Sequence, residues 1–205
     1  MRIIAGTKRG LKLQSPEGDV SRPIIDRVKE SLFSVLYGLG LPNGAMAADL
    51  FSGVGSLGLE SLSRGAEFVT FVERDPRVGS ILNNNIEKAG FAGQSKVVRA
   101  NAFKVGAPVG DSGRRYDLVF VDPPYPTTKD VSENSQLAGL MDVLAGQVTD
   151  NALVIVRTQE KVELLDEYGA FKVLQRRTWG SMNVTLLKKT ITAENAAVAE
   201  RMKDE

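Results

Sequence analysis

The chain has 205 residues, a formal net charge of +1, 42% hydrophobic and 25% charged residues, and neither cysteine nor histidine. This length suits a domain with a sizeable core, and the two missing residue types exclude disulfides, thiolate nucleophiles, cysteine-based zinc sites and histidine general bases. No apolar run nears the ~20 residues that span a bilayer and the start lacks the apolar stretch of a secretory signal, so a cytoplasmic protein with no membrane partner is expected.

Residues 1–43 read as an N-terminal extension. Arg2–Ala5 and Gly10–Leu13 are expected as two short strands of a β-hairpin around a Gly6–Gly10 turn. A loop with Pro16 and Gly18 leads to a helix beginning near Ser21-Arg22-Pro23, because proline suits a first helical turn. Ile25, Val28, Leu32, Val35 and Leu36 recur at helical spacing on one face. Gly38, Gly40 and Pro42 close it. Arg2, Lys8, Arg9 and Lys12 all precede the first acid, Glu17, and Arg22, Arg27 and Lys29 follow. Such a cluster suits phosphate contacts, although taken alone its default reading is a solvated hairpin surface.

Residues 44–190 alternate between strands and helices. Ala45–Leu50 is a strand, Leu57–Ser63 a helix and Phe68–Val72 the next strand. A helix carrying Val78, Ile81, Leu82, Ile86 and Ala89 on one stripe follows. Lys96–Arg99, Leu118–Val121 and Ala152–Val156 are further strands, the last two wholly apolar as buried parallel strands are. Phe171–Arg177 and Val184–Lys188 read as a closing antiparallel pair around Trp179-Gly180. The alternation predicts an α/β fold, a mostly parallel sheet with helices on both faces. The Gly- and Pro-containing loop 106–115 and the tail 191–205 are expected to be exposed.

Two constellations carry chemistry. The first strand runs into Asp49-Leu50-Phe51-Ser52-Gly53-Val54-Gly55-Ser56-Leu57-Gly58, whose glycines match G-x-G-x-x-G after a strand and before a helix, where a ligand can approach the main chain. Glu73, beside Arg74 at the end of the next strand, is placed to accept hydrogen bonds from ribose hydroxyls. Asn101, next to Ala102, either faces an adenine edge or caps a helix. Asp49 either lies near the cofactor or braces the turn, and Phe51 reads first as packing beneath it. Nicotinamide enzymes share the glycine motif, so an oxidoreductase stays open at this point, as does a non-catalytic RNA-binding module using the basic arm.

The second constellation is Asp122-Pro123-Pro124-Tyr125 at the end of the fourth strand. The amine of a nucleic-acid base is a poor nucleophile, because its lone pair is delocalised into the ring. A carboxylate accepting one N–H and a backbone carbonyl accepting the other favour a pyramidal nitrogen with its lone pair available. Two prolines fix the backbone that carries these acceptors, and Tyr125 can stack on the base. A base in a duplex must be unpaired or flipped out to reach such a site. An adenine or cytosine amine fits as a guanine amine does, in RNA or DNA. Transfer of a methyl group to such an amine from a donor with its own leaving group needs no metal.

With these residues in view, the chain resembles the bacterial 16S ribosomal RNA guanine-N2 methyltransferases, enzymes of the class I S-adenosylmethionine-dependent kind. The resemblance runs from Arg2 to about Leu187. It rests on Arg2-Ile3-Ile4-Ala5-Gly6, the segment Arg22-Pro23-Ile24-Ile25-Asp26-Arg27-Val28-Lys29-Glu30, the glycine turn, Glu73, Asn101-Ala102 and Asp122–Tyr125. It implies a Rossmann-like, seven-stranded sheet and S-adenosylmethionine held by Asp49, Phe51, Ser52, Gly53, Gly55, Glu73, Arg74, Asn101, Ala102 and Asp122. Asp122, Pro123 and Tyr125 take the catalytic roles. Lys8, Arg9, Arg22, Arg27 and Tyr125 meet the RNA, and residues 1–43 cover the cofactor pocket. The implied partner is 16S ribosomal RNA or a partly assembled small subunit, and the implied state a monomer.

Overall fold

The computed structural model describes residues 1–16, 25–110 and 113–190. Arg22, the helix start expected at 21–23 and the tail 191–205 lie outside the described residues. Within them, α1 is Asp26–Gly38, β1 Met46–Leu50, α2 Ser56–Ser63, β2 Phe68–Val72, α3 Pro76–Ala89, β3 Ser95–Val98 and α4 Ala102–Val105. Then come β4 Tyr116–Val121, α5 Gln136–Ala145, β5 Val148–Gln159, β6 Glu167–Tyr168, β7 Phe171–Trp179 and β8 Met182–Lys189.

The strands form one sheet in the order β3-β2-β1-β4-β5-β8-β7-β6. β1 to β5 are parallel and β6 to β8 antiparallel. The fold is Rossmann-like, with eight strands in place of the expected seven. The additional one is two-residue β6, which pairs only through Glu167–Lys172 and Tyr168–Phe171 at the outer edge of β7. A strand so short carries no alternation to read.

Side chains alternate between two cores, as the twofold repeat of a strand requires. Ala47, Val69, Phe71, Leu118, Phe120, Leu153, Ile155 and Val184 pack under α1, α2 and α3. Ala48, Leu50, Val72, Val119, Val121, Val154 and Leu187 pack against α4 and α5. α3 is delimited by strong local signals. Asp75 accepts from the Arg77 N–H (2.7 Å), Pro76 opens the first turn and Gly90 ends it at φ +72°. α5 falls where the sequence shows Leu137, Leu140, Met141 and Leu144 on one buried side after the capping Ser135.

The N-terminal arm differs from the expected hairpin. Arg2 and Lys12 form one isolated antiparallel bridge, and Gly6–Lys8 is a 3-10 turn. The ladder stops there because Gly10 N–H donates to Ile3 O (2.8 Å) while Leu11 N–H turns back to Lys8 O (3.1 Å). Ile4 and Ala5 instead donate their N–H groups to the carboxylate of Glu60 on α2 (2.7 and 3.0 Å). Ile25 departs from the buried stripe as well. It precedes α1 in extended conformation and is 59% exposed, leaving Val28, Leu32, Phe33 and Leu36 as the buried face.

Candidate active site

Four ionisable groups meet at the carboxyl edge of the parallel strands, on the face covered by α1 to α3. Asp49 lies two residues past Ala47, Glu73 two past Phe71, Asp122 two past Phe120 and Arg157 two past Ile155, so all four continue the rows of the first core. The register supports this. Asp49 stands opposite Phe71 and Phe120, and Phe120 opposite Ile155.

The glycine turn is built around backbone needs. Gly55 caps α2 at φ +88°, and a Cβ there would meet Leu82 Cδ1 at 2.5 Å. Gly58, in the first turn of α2, sits so close to β2 that a Cβ would lie 2.3 Å from the Phe71 ring. Its N–H donates to Asp49 Oδ2 (2.8 Å), so a sheet carboxylate satisfies a helix N–H that no side chain of the helix reaches. Burial pushes the Asp49 carboxyl up to about 8, with this hydrogen bond opposing and the negative charges of Asp122 and Glu73 adding to the rise. Asn85, fully buried on α3, donates to the carbonyls of Val54 and Gln14 (both 3.1 Å) and accepts from Gln14 N–H (2.7 Å), joining the turn to the N-terminal arm.

The expected cofactor residues gather around this turn. Glu73 accepts from Gly53 N–H (2.9 Å) and Asp75 N–H (2.8 Å), which fixes its carboxylate at the lip of β2. Ser52 Oγ is buried with no hydrogen-bond partner among the described residues. Space opens above Gly53, where a Cβ would meet nothing within 4 Å. Phe51 adopts φ +58°, a left-handed conformation unfavourable for a bulky residue, and its ring packs on Phe103 at 4.7 Å. Asn101 caps α4 by accepting from Phe103 N–H (3.1 Å), with Ala102 buried behind it. Arg74 is exposed beside Glu73.

Asp122 extends the pairing of β4, its N–H reaching Leu50 O (3.4 Å). Its Oδ1 accepts from Arg157 Nε at 2.6 Å. Burial raises its carboxyl above the ordinary range, and the charge and hydrogen bond of Arg157 pull it back. Pro123 is buried, while Tyr125 is half-buried and opens a 3-10 turn, Tyr125–Thr128. The Pro124 carbonyl is engaged by both the N–H (2.9 Å) and the hydroxyl (2.6 Å) of Thr127. Of the two proline carbonyls, that of Pro123 is therefore the better placed to accept from a ligand.

Arg157 was not among the expected site residues. Its strand reads as a hydrophobic run, and only the β4–β5 register sets it beside Asp122. The expected RNA residues are dispersed. Arg9 is exposed on the arm, and Lys8 lies with Nζ 5.8 Å from the Phe91 ring centre. Arg27 lines an open groove of about 710 Å³ with Ser31, Ser34 and Arg177. Among the described residues no group of three or more Asp or Glu side chains could hold a metal ion, and no helix is long and apolar enough to cross a membrane.

Residues 1–188 match the family described as conserved hypothetical protein 95. The ribosomal RNA small subunit methyltransferase D of Escherichia coli (strain K12) is 35% identical over 96% of this chain and 94% of its own. The provisionally named rRNA methyltransferase YlbH of Bacillus subtilis (strain 168) is 30% identical over 92% and 99%. Among solved structures, yhhF of Escherichia coli, described as a candidate methyltransferase, superposes with a TM-score of 0.77 at 32% identity, covering 94% of this chain and 99% of that one.

Proposed function

The chain belongs to the family described as conserved hypothetical protein 95, with small-subunit ribosomal RNA methyltransferases among its relatives, and from that premise we propose its reaction. It transfers a methyl group from S-adenosylmethionine to the exocyclic N2 amine of a guanine in 16S ribosomal RNA, guanine 966 by resemblance. The observation that carries this reading is the carboxylate of Asp122 on the same edge and face as Glu73 and the glycine turn, anchored through one oxygen.

The residues present fit S-adenosylmethionine. The buried, unpartnered Ser52 Oγ and the open space over Gly53 leave room for a ligand against the main chain. Glu73, already oriented by two N–H donors, accepts from ribose hydroxyls. Asn101 and Ala102 border the adenine side, and Asp49, Gly55, Phe51 and Arg74 shape the turn and its rim. When bound, the cofactor supplies an electrophilic methyl group and its own leaving group.

The chain's own residues prepare the nucleophile. Asp122 Oδ2 accepts one N–H of the target amine and the Pro123 carbonyl the other, which directs the nitrogen lone pair toward the methyl carbon. Tyr125 stacks on the flipped base and fixes its plane. The cofactor, held at Ser52, Gly53 and Glu73, would supply the methyl carbon to that nitrogen and take the bonding electron pair onto its own sulfur. The surplus proton on nitrogen leaves along the Asp122 hydrogen bond. Residues 44–190 act as the catalytic domain, with the N-terminal arm and α1 as RNA-facing cover. The protein acts as a cytoplasmic monomer, without a metal, on 16S ribosomal RNA or a small-subunit assembly intermediate.

The test is transfer from labelled S-adenosylmethionine to unmodified small subunits, naked 16S RNA and duplex DNA, followed by nucleoside identification. N2-methylguanosine in ribosomal RNA is the expected product. Methyladenine or methylcytosine would keep the chemistry and overturn the substrate. Asp122→Ala is expected to abolish transfer while cofactor binding survives, and equal loss of both would remove Asp122 from its role.

A further inference from the structure

The catalytic edge carries three carboxylates and a cation set against them. Asp49 projects from β1, Glu73 from the end of β2 and Asp122 from the end of β4, close enough that the charges of Asp122 and Glu73 both act on Asp49. Arg157 approaches from β5, and its Nε donates to Asp122 Oδ1 at 2.6 Å. The two side chains are only 13% and 21% exposed.

We infer that Arg157 is a positioning residue for the transfer, holding one oxygen of Asp122 so that the other is presented to the target amine. This rests on the proposed role of Asp122. Three observations support it. A charged pair this sheltered carries a desolvation cost that can exceed its attraction, so stability alone is a weak reason for its presence. The bond is made by Nε, the nitrogen next to the side chain's last methylene, so contact and direction are set by the β5 backbone through a short reach. Register places that backbone securely, since Val121 pairs with Val156 immediately before the two residues and Arg157 itself pairs with Val184 of β8. Burial favours a protonated Asp122, which could not accept an N–H through both oxygens. Arg157 is the counter-charge that opposes this.

The test compares Arg157→Met and Arg157→Lys with the unaltered protein. The Asp122 carboxyl is titrated by carbon-13 NMR in the cofactor-free protein, and the pH profile of kcat/KM is measured with S-adenosylmethionine binding by calorimetry. Arg157→Met is expected to raise the Asp122 midpoint by about one pH unit or more. The acid limb of the rate profile should rise with it, and the neutral rate should fall by about a hundredfold through lost orientation. Cofactor affinity should hold. Arg157→Lys should return the midpoint toward its starting value by restoring charge, yet recover only part of the rate, because an ammonium cannot reproduce the directed Nε contact. A folded Arg157→Met variant whose Asp122 midpoint and acid limb stay in place overturns the inference, whatever happens to the rate. An Asp122→Asn variant with full activity overturns the role of Asp122 itself, and with it the inference. The two failures are distinct, because the first leaves Asp122→Asn inactive.

Discussion

Lys29 on α1 and Glu60 on α2 face each other at 3.3 Å with no solvent-exposed side-chain surface on either. Around them the polar groups are well matched. Lys29 Nζ also donates to Arg2 O (2.6 Å), and Glu60 accepts from Ile4 and Ala5 N–H and from Arg64 Nε (2.7 Å). Arg2 closes the outer side through Asp26 (2.7 Å). The Asp26–Lys29 part of the resemblance-bearing segment thus fastens the N-terminal arm to the helix that follows the glycine turn.

Glu60→Gln should therefore be costly far from any substrate. It leaves the buried Lys29 without its counter-charge and sets an NH2 group in place of the oxygen that accepts from one of the two backbone N–H groups. A loss of about 3 kcal/mol is expected, as for other broken buried pairs. Denaturant unfolding measures it. Adding Lys29→Met should recover part of the loss, and strictly additive effects would show that the two residues do not act as a pair.

Glu73 is held by Gly53 and Asp75 N–H groups and has lone pairs to spare for ribose hydroxyls. Glu73→Ala should weaken S-adenosylmethionine binding by about 1.5–3 kcal/mol, roughly ten- to a hundredfold in Kd. Calorimetry reads this directly. Unchanged affinity would place the ribose elsewhere.

Legibility followed the range of the determining interactions. Phe68–Val72 is read from sequence with its true ends because a buried parallel strand is an apolar run bounded by charges. Glu73 and Asp122 share one face because each strand ends on the same twofold phase. The spacing in 136–145 also carries the signal of α5, although the loop-like residues 126–135 and Gly139 obscure it. Arg157 could not be found this way, since its importance depends on pairing between strands separated by a helix and more than twenty residues. The arm's missing ladder has the same origin, because the acceptor for Ile4 and Ala5 lies more than fifty residues away on Glu60.

Asp49 ties stability to pH. An unfolded aspartate titrates near 3.9, roughly, whereas burial in the folded chain pushes this carboxyl up to about 8. Between those values the folded state holds a proton that the unfolded state releases. The Asp49 contribution is therefore most favourable below the unfolded value, declines as pH rises toward 8 and is flat above it. Asp49→Asn keeps an oxygen for the Gly58 N–H but cannot titrate. Its stability relative to the unaltered protein should rise from about pH 5 to about pH 9 in urea unfolding. A constant difference would show that Asp49 titrates normally.

Arg177 stands on the same sheet face as the candidate site. Arg157, Val184 and Arg177 stand opposite one another on β5, β8 and β7, so their side chains leave the same face of the sheet. With strands about 4.8 Å apart, Arg177 lies about 10 Å from Arg157 along this row. It is exposed there and shares the open groove with Arg27 on α1. A strand whose target base enters beside Asp122 can lay its backbone along that row, with the two guanidinium groups meeting phosphates and Ser31 and Ser34 adding hydrogen bonds. Glu30 also lines the groove, so its balance is only mildly positive and each arginine matters. Arg177→Ala should lower affinity for the small subunit or its RNA and reduce the slope of log affinity against log salt by about 0.7 to 0.9. S-adenosylmethionine affinity should not change. An unaltered salt slope in both Arg177→Ala and Arg27→Ala would mean that the RNA leaves the site by another path, with the exposed arm around Arg9 the next face to test.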